Sequence, residues 1–362
     1  MNRYVTAILL AVVCTGCAHG QRSADVGPGD TPKQLRDIIG VTHVNGQYYL
    51  TDKDFLNEGA DQILALGSRV IKVWFDKPSD SYRFNSQWPK AGSMVEIAQS
   101  SYFRKLFDKP FTTYILMCFS MGRPGGYFRD GLTDEQKADE QKQFYELAKY
   151  LLTTYKGSGK TFVLQHWEGD WLIRGNFNKD VDPEPRAIQG MIDWLNARQA
   201  GVDQARQELA QARRYLGGQA GVRVYHAAEV NRVVTSMNQG RPGLVNAVLP
   251  HTRLDLVSYS AWDSATEHFQ DPNVLRRALD FIAANAPTAP TSATETSISA
   301  SSECRKTSSP PGKSKRQFPT PSTRLWIGAA HTSSIGSSTA TSCGPAKVPR
   351  RSKITTMSAD SG

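Results

Sequence analysis

Two carboxylates stand among indoles in the stretch FVLQHWEGDW, residues 162–171, where Glu168 and Asp170 lie between Trp167 and Trp171. The run opens apolar, as a buried strand does, and a carboxylate crowded against aromatic rings at a strand end is costly to desolvate. Such a group is kept for proton transfer, for a ligand, or for an ion pair. Arg174 is the ion-pair partner that the local sequence offers to Glu168. Asp170 could bind a ligand hydroxyl or cap the following turn. A second carboxylate, Glu229, closes the run VRVYHAAEV beside His226 and Asn231. Three histidines, His43, His166 and His226, come from three strand ends, but no HExxH or similar local spacing supports a metal, and none is expected.

These residues need elements to position them, and residues 36–288 supply a rhythm. Short apolar runs at 38–44, 69–75, 111–119, 161–167, 222–230 and 255–262 read as strands. Helical stretches lie between them, at 52–67, 93–107, from Thr133 onward and across 183–216. Thr133 and Gln136 make a capping box, and Asp271 with Pro272 opens the last helix. Strands that alternate with helices imply parallel pairing in a sheet covered on both faces. No glycine-rich loop follows the first strand, and GSGKT at 157–161 precedes a strand where a phosphate loop would follow one, so nucleotide folds are disfavoured. His43, Lys72 and Trp74, 166–171, 226–231 and 259–262 all gather at strand C-terminal ends. That is where a (β/α)8 TIM barrel builds its site. The expected fold class is therefore α/β, a TIM barrel with about six β-α units in frame.

Charge and cysteine usage narrow the function. The net charge is +9, but residues 289–362 hold ten Lys and Arg against three Asp and Glu, so seven of those charges sit in the tail. The rest of the chain has no basic stripe with interleaved aromatics, which argues against nucleic acid. Between Cys17 and the tail stands a single cysteine, Cys118, so neither a disulfide framework nor a cysteine metal site can be built.

Residues 289–362 read as a low-complexity segment rich in Ser, Thr, Pro and basic residues. They also read as the product of a frameshift. If each codon is rebuilt from the last base of one residue and the first two of the next, one permitted run contains NVYIGEFG, with a Glu encoded across Ala300 and Ser301. A second, between Arg324 and Gly344, contains YVLYW. Ile298 can then yield only Tyr, His, Asn or Asp, and Gly336 only Trp, Arg or Gly. The expectation is that the segment as translated contributes no barrel strand.

At the N-terminus, Arg3 precedes the short apolar run YVTAILLAVV and the small residues before Cys17. This resembles the signal and lipobox of bacterial lipoproteins, although Cys14 replaces the usual aliphatic residue. The resemblance implies that residues 1–17 are a signal peptide, that Cys17 is lipidated, and that 18–35 are a flexible tether. The protein would be exported and membrane-anchored, in the periplasm or at the cell surface.

The strand ends carry a further resemblance. With WEG closing the fourth strand and SYSAW closing the sixth, residues 36–288 resemble the clan of retaining glycoside hydrolases built on (β/α)8 barrels. The clan places its acid/base Glu after strand four and its nucleophile Glu after strand seven. The resemblance implies that Glu168 is the acid/base, that Tyr259 is the strand-six aromatic, and that the nucleophile falls in the shifted frame. Trp167 stands where the clan usually has Asn. A carbohydrate substrate, no cofactor and a monomer are expected. Glu229, His226, Asn231, His166 and Asp170 are candidates for hydroxyl contacts, and Trp74, Trp171 and Trp262 for stacking on sugar rings. A non-catalytic carbohydrate-binding lipoprotein is the alternative. A two-lobed solute-binding protein is disfavoured by the single run of β-α units.

Overall fold

The computed structural model describes residues 35–44, 49–216, 221–268, 270–286, 297–303 and 324–329. The signal, Cys17 and most of the tether lie outside the described residues.

Six parallel strands curl into the central sheet: β1 (Ile39–His43), β2 (Val70–Trp74), β3 (Thr113–Met117), β4 (Thr161–Gln165), β5 (Arg223–Val230) and β6 (Leu256–Ser260). The register is regular, with Val70 opposite Thr113, Thr113 opposite Thr161 and Thr161 opposite Arg223. Nine α-helices are described: α1 (Phe55–Ala65), α2 (Pro78–Ser81), α3 (Met94–Gln99), α4 (Ser101–Asp108), α5 (Asp134–Thr154), α6 (Gly169–Arg174), α7 (Pro185–Leu216), α8 (Val233–Gln239) and α9 (Pro272–Asn285).

Alternation along each strand divides the core. Ile71, Val73, Tyr114, Leu116, Phe162, Leu164 and Val224 face outward and pack on α1, α3, α4 and α5. Ala228, Val230, Val257 and Tyr259 face the other helices, chiefly α7, α8 and α9. Inside the ring, Val70, Ile115, Val163 and Ala227 form a small apolar plug with Leu256. Residues two apart on a strand share a face. The same inward rows therefore continue into Lys72, Gln165, Glu229, Ser258 and Ser260. The interior is dry near the strand starts and polar toward the strand ends.

Local signals set the helix boundaries. The Thr133 hydroxyl accepts from the Gln136 N–H, and the Gln136 side chain accepts from the Thr133 N–H, completing the capping box. Asp271 caps α9 through the Asn273 N–H. The single helix expected over 93–107 is two, because Ser100 is extended (φ −56°, ψ 149°) and its hydroxyl caps α4 through the Phe103 N–H. Helix α7 lies directly on α5: a Cβ at Gly201 would stand 2.2 Å from the Gln141 carbonyl oxygen.

The tail corrects one expectation. Strand β7 (Ser297–Glu303) pairs parallel with β6, and β8 (Arg324–Ala329) pairs antiparallel with both β7 and β1, so the ring closes in the order β1 to β8. Residues 289–362 therefore do contribute strands. An eight-fold β/α unit is not reproduced, since β8 runs against its neighbours. The backbone can pair here because Ser, Ala, Ile and Trp place no proline or charge run within either strand. Among the described residues no helix is long and apolar enough to cross a membrane.

Candidate active site

Glu168 sits just beyond the tip of β4 as the N-cap residue of α6. Its backbone is left-handed (φ 25°, ψ 76°), unlike any other buried non-glycine residue among those described. A side chain held in that region costs on the order of 1–3 kcal/mol and persists only where surroundings impose it. Here Gly169 follows at once, and it has no room for a side chain: a Cβ would meet Leu244 Cδ2 at 2.5 Å, His166 Cε1 at 2.7 Å and the Glu229 carbonyl oxygen at 2.9 Å. The chain turns tightly against β5, and that turn aims Glu168 across the mouth.

Three strands hold it. The Glu168 N–H donates to Glu229 Oε2 at 2.8 Å, and the Ser260 hydroxyl, at the end of β6, donates to Glu168 Oε1 at 3.0 Å. Glu229 is in turn paired through Oε1 with Lys72 Nζ of β2 at 2.8 Å, both side chains buried. Lys72 and Glu229 thus span the ring and neutralise each other where neither could stand alone. Glu168 as a residue is 6 % exposed. A carboxyl so placed, accepting the Ser260 hydroxyl at the polar end of the barrel, can pass a proton to or from a bound ligand.

The other candidates divide. Trp74 lies at the end of β2, half-buried, and Trp171 and Trp262 are half-buried on the segments after β4 and β6. Glu229 belongs to the Glu168 assembly. Five residues do not act on the mouth as expected. Asp170 is used up inside the protein: Oδ1 accepts from Arg174 Nη1 at 3.2 Å and the Leu244 N–H at 2.9 Å, and Oδ2 accepts from the Asn231 and Arg232 N–H groups. Asn231 returns the bond, accepting the Asp170 N–H at 2.9 Å. Arg174 accordingly pairs with Asp170.

His226 points outward from β5 against the Phe144 ring of α5, with centroids 5.6 Å apart. His166 also faces the helices, 5.6 Å from the Trp194 ring, and its Nε2 accepts the Glu229 N–H. Burial, helped by Arg198, holds the His166 imidazole down at about 4. Tyr259 is buried in the helix-side core and donates to Asp263 at 2.5 Å. Desolvation raises the Asp263 carboxyl to about 6. The helix-facing parity of positions 166, 226 and 259 explains all three histidine and tyrosine corrections. His43 is packed between Phe55 and Tyr82, and no group of metal-ligating residues exists among the described residues.

Sequence reasoning set Lys72 and Ser260 at the strand tips but gave neither a role in the site. Their signal was available: both lie on inward rows, at the polar ends of strands whose first inward residues are apolar. Comparison with protein-family models, with curated proteins and with solved structures returned no match.

Proposed function

We propose that the polar mouth is a glycoside hydrolase-type site on a TIM-barrel plan, acting on O-glycosidic bonds of a polysaccharide or glycan, with Glu168 as the acid/base. The observation that carries the reading is the bond from Ser260 to Glu168, which places this carboxyl over the strand tips. In a retaining reaction the acid protonates the leaving oxygen while a second carboxylate, about 5–5.5 Å away, attacks the anomeric carbon; water then releases the sugar with the first residue acting as base.

The register supports a location for the second carboxylate. Residue 301 of β7 is the pairing partner of Ser260, the residue whose hydroxyl holds Glu168. The Glu readable in the shifted frame falls across Ala300 and Ser301, at that pairing. In this chain position 301 is Ser. Hydrolysis would then be impaired, and the copy would retain glycan binding as an exported protein anchored through Cys17.

Aryl glycosides test the reading. Ser301→Glu should raise hydrolysis above the background of the unmodified chain, and adding Glu168→Gln should remove the gain. A gain that survives Glu168→Gln sinks the role of Glu168. No gain, together with no glycan binding by the unmodified chain, sinks the whole reading. Sequencing the gene across codons 285–305 checks the shifted frame separately.

A further inference from the structure

Basic side chains gather at the end of the barrel opposite Glu168, where the strands begin. Backbone bonds tie their positions into one row. The Arg69 N–H donates to the Arg36 carbonyl, the Thr112 N–H to the Arg69 carbonyl, the Thr161 N–H to the Thr112 carbonyl, and the Arg223 N–H to the Lys160 carbonyl. The Lys156 turn lies against the same row, since a Cβ at Gly221 would stand 2.9 Å from the Gly157 Cα. Farther round, Arg253 is exposed just before β6. Each cation comes from a different loop, so the fold assembles a basic face from a sequence without a basic run there.

Few carboxylates answer these cations. Arg36 has Asp37 at 3.6 Å, and Asp61 takes up Lys53 and Lys109. Among the described residues Arg69, Lys156, Lys160, Arg223 and Arg253 form no ion pair. Lys160 Nζ donates instead to the Lys109 carbonyl at 2.7 Å and the Tyr114 hydroxyl at 3.2 Å, and Arg223 Nε to the Thr161 hydroxyl at 3.2 Å. Against them stands Asp108, exposed at the end of α4. The mouth differs. Lys179 and Arg129 there also lack a carboxylate partner, but 176–186 sets Asp180, Asp182 and Glu184 against Lys179 and Arg186, and Asp130 follows Arg129. Arg174, Arg232 and Arg241 are paired with Asp170, Glu267 and Asp182.

Two apolar residues border the basic row. Leu35, in the turn that leads into β1, is 71 % exposed, and Leu66, just past α1, is 74 % exposed. The Ser68 hydroxyl, two residues after Leu66, donates to the Ile39 carbonyl at the start of β1. Leucines among unpaired cations suit an anionic phospholipid surface, where each Lys or Arg adds attraction and the apolar side chains enter the headgroup boundary. Duplex phosphates would use the cations but leave the leucines in water. Cys17 lies 18 positions before Leu35, and a chain of that length spans up to about 60 Å. Such a tether lets either end of the barrel meet the bilayer, and the charges choose this one.

We propose that the strand-start face, with Arg69, Lys156, Arg223 and Arg253 around Leu35 and Leu66, lies on an anionic phospholipid surface and turns the Glu168 mouth away from it. The orientation rests on the reading that Cys17 anchors the chain; the attraction of the face does not.

The full chain with Cys17→Ser, which carries no lipid, is sedimented with vesicles of phosphatidylcholine alone and of phosphatidylcholine with phosphatidylglycerol. Phosphatidylglycerol should strengthen binding, and added salt should remove most of the gain. Lys156→Gln with Arg223→Gln should weaken binding to the mixed vesicles by roughly twentyfold, the scale of two basic contacts. Leu66→Ser should weaken it by roughly fourfold or more, the scale of one buried methylene. Lys90→Gln with Lys179→Gln, two lysines at the mouth end, should leave it unchanged. All of these side chains are exposed, and melting temperatures check that the variants fold. Residues 1–34 and the basic tail are the same in every variant, so differences report on this face. Equal losses in the two lysine-bearing pairs, or no loss in Lys156→Gln with Arg223→Gln, overturn the proposal. Binding to duplex DNA in place of the vesicles overturns the choice of partner. The mass of the unmodified protein expressed in a bacterium checks the anchor separately: an unlipidated Cys17 removes that reading and leaves the vesicle result standing.

Discussion

Glu229 joins Lys72 to the backbone of Glu168: one carboxylate oxygen is 2.8 Å from the lysine ammonium, and the other accepts the Glu168 N–H at 2.8 Å. A buried anion on β5, with one partner on β2 and one just past the end of β4, ties β2, β4 and β5 together at the mouth. Lys72→Met should strand that anion and destabilise the fold by about 3–5 kcal/mol. Adding Glu229→Gln should recover much of the loss, because no buried charge is then left alone. Urea unfolding of the two single variants and the double variant measures the coupling. Additive losses would show that the two side chains do not interact.

Helix α6 begins where β4 ends, with no clearance. Gly169→Ala should cost about 1–3 kcal/mol through overpacking, since a Cβ would be 2.9 Å from the Glu229 carbonyl and 2.5 Å from Leu244. Thermal unfolding checks this. The nearby Gly175→Ala tests a different effect, the left-handed backbone at φ 71°.

The outer layer has its own polar centre. Glu140 is fully buried and accepts from the Ser120 hydroxyl, the Tyr127 hydroxyl at 2.6 Å, Trp194 Nε1 at 2.9 Å and Arg198 Nε at 3.0 Å. The Arg198 guanidinium stacks 3.3 Å from the Trp194 ring centroid. Glu140→Ala should leave that cation uncompensated and cost about 3–5 kcal/mol. Glu140→Ala with Arg198→Met should lose less than Glu140→Ala alone, read in the same denaturant series.

Acid should weaken the fold through its histidines. His166 ordinarily titrates near 6.5 and is held at about 4 by burial, with Arg198 adding to the effect. Between these values the unfolded chain binds more protons, so the stability contributed by neutral His166 is complete above 6.5 and falls as pH drops toward 4. His226 and His43 are lowered by burial too and act in the same direction. Asp76 and Asp263, raised to about 6 by desolvation, act oppositely, losing their contribution as pH rises from 3.8 to 6. Between pH 7 and 5, His166→Gln should show a drop in unfolding free energy smaller than that of the unmodified chain by about 2 kcal/mol. An identical drop in both proteins would refute the assignment.

Much of the six-stranded core was legible in the sequence because each strand announces itself by apolar residues on both faces. The capping residues Thr133 and Asp271 marked their helices for local reasons that tertiary contacts did not override. Side-chain direction was harder. His226 and Glu229 are three residues apart on one strand, so they face opposite sides, and only the parity set by Ala227 and Ala228 tells which enters the ring. Asp170 defeated local reasoning differently: its partners Asn231, Arg232 and Leu244 lie 61 or more positions away. Strands β7 and β8 were missed because they lie in a stretch whose Ser, Thr and Pro content hides any strand period.

The left-handed backbone at Glu168 has a consequence for how this molecule could be improved. Glycine is at ease at φ 25°, whereas any residue with a Cβ is not. Glu168→Gly should therefore outlast Glu168→Ala in thermal unfolding by about 1 kcal/mol, although both abolish the carboxyl. A screen for thermal stability alone would drift toward glycine there, trading away the carboxyl that accepts the Ser260 hydroxyl.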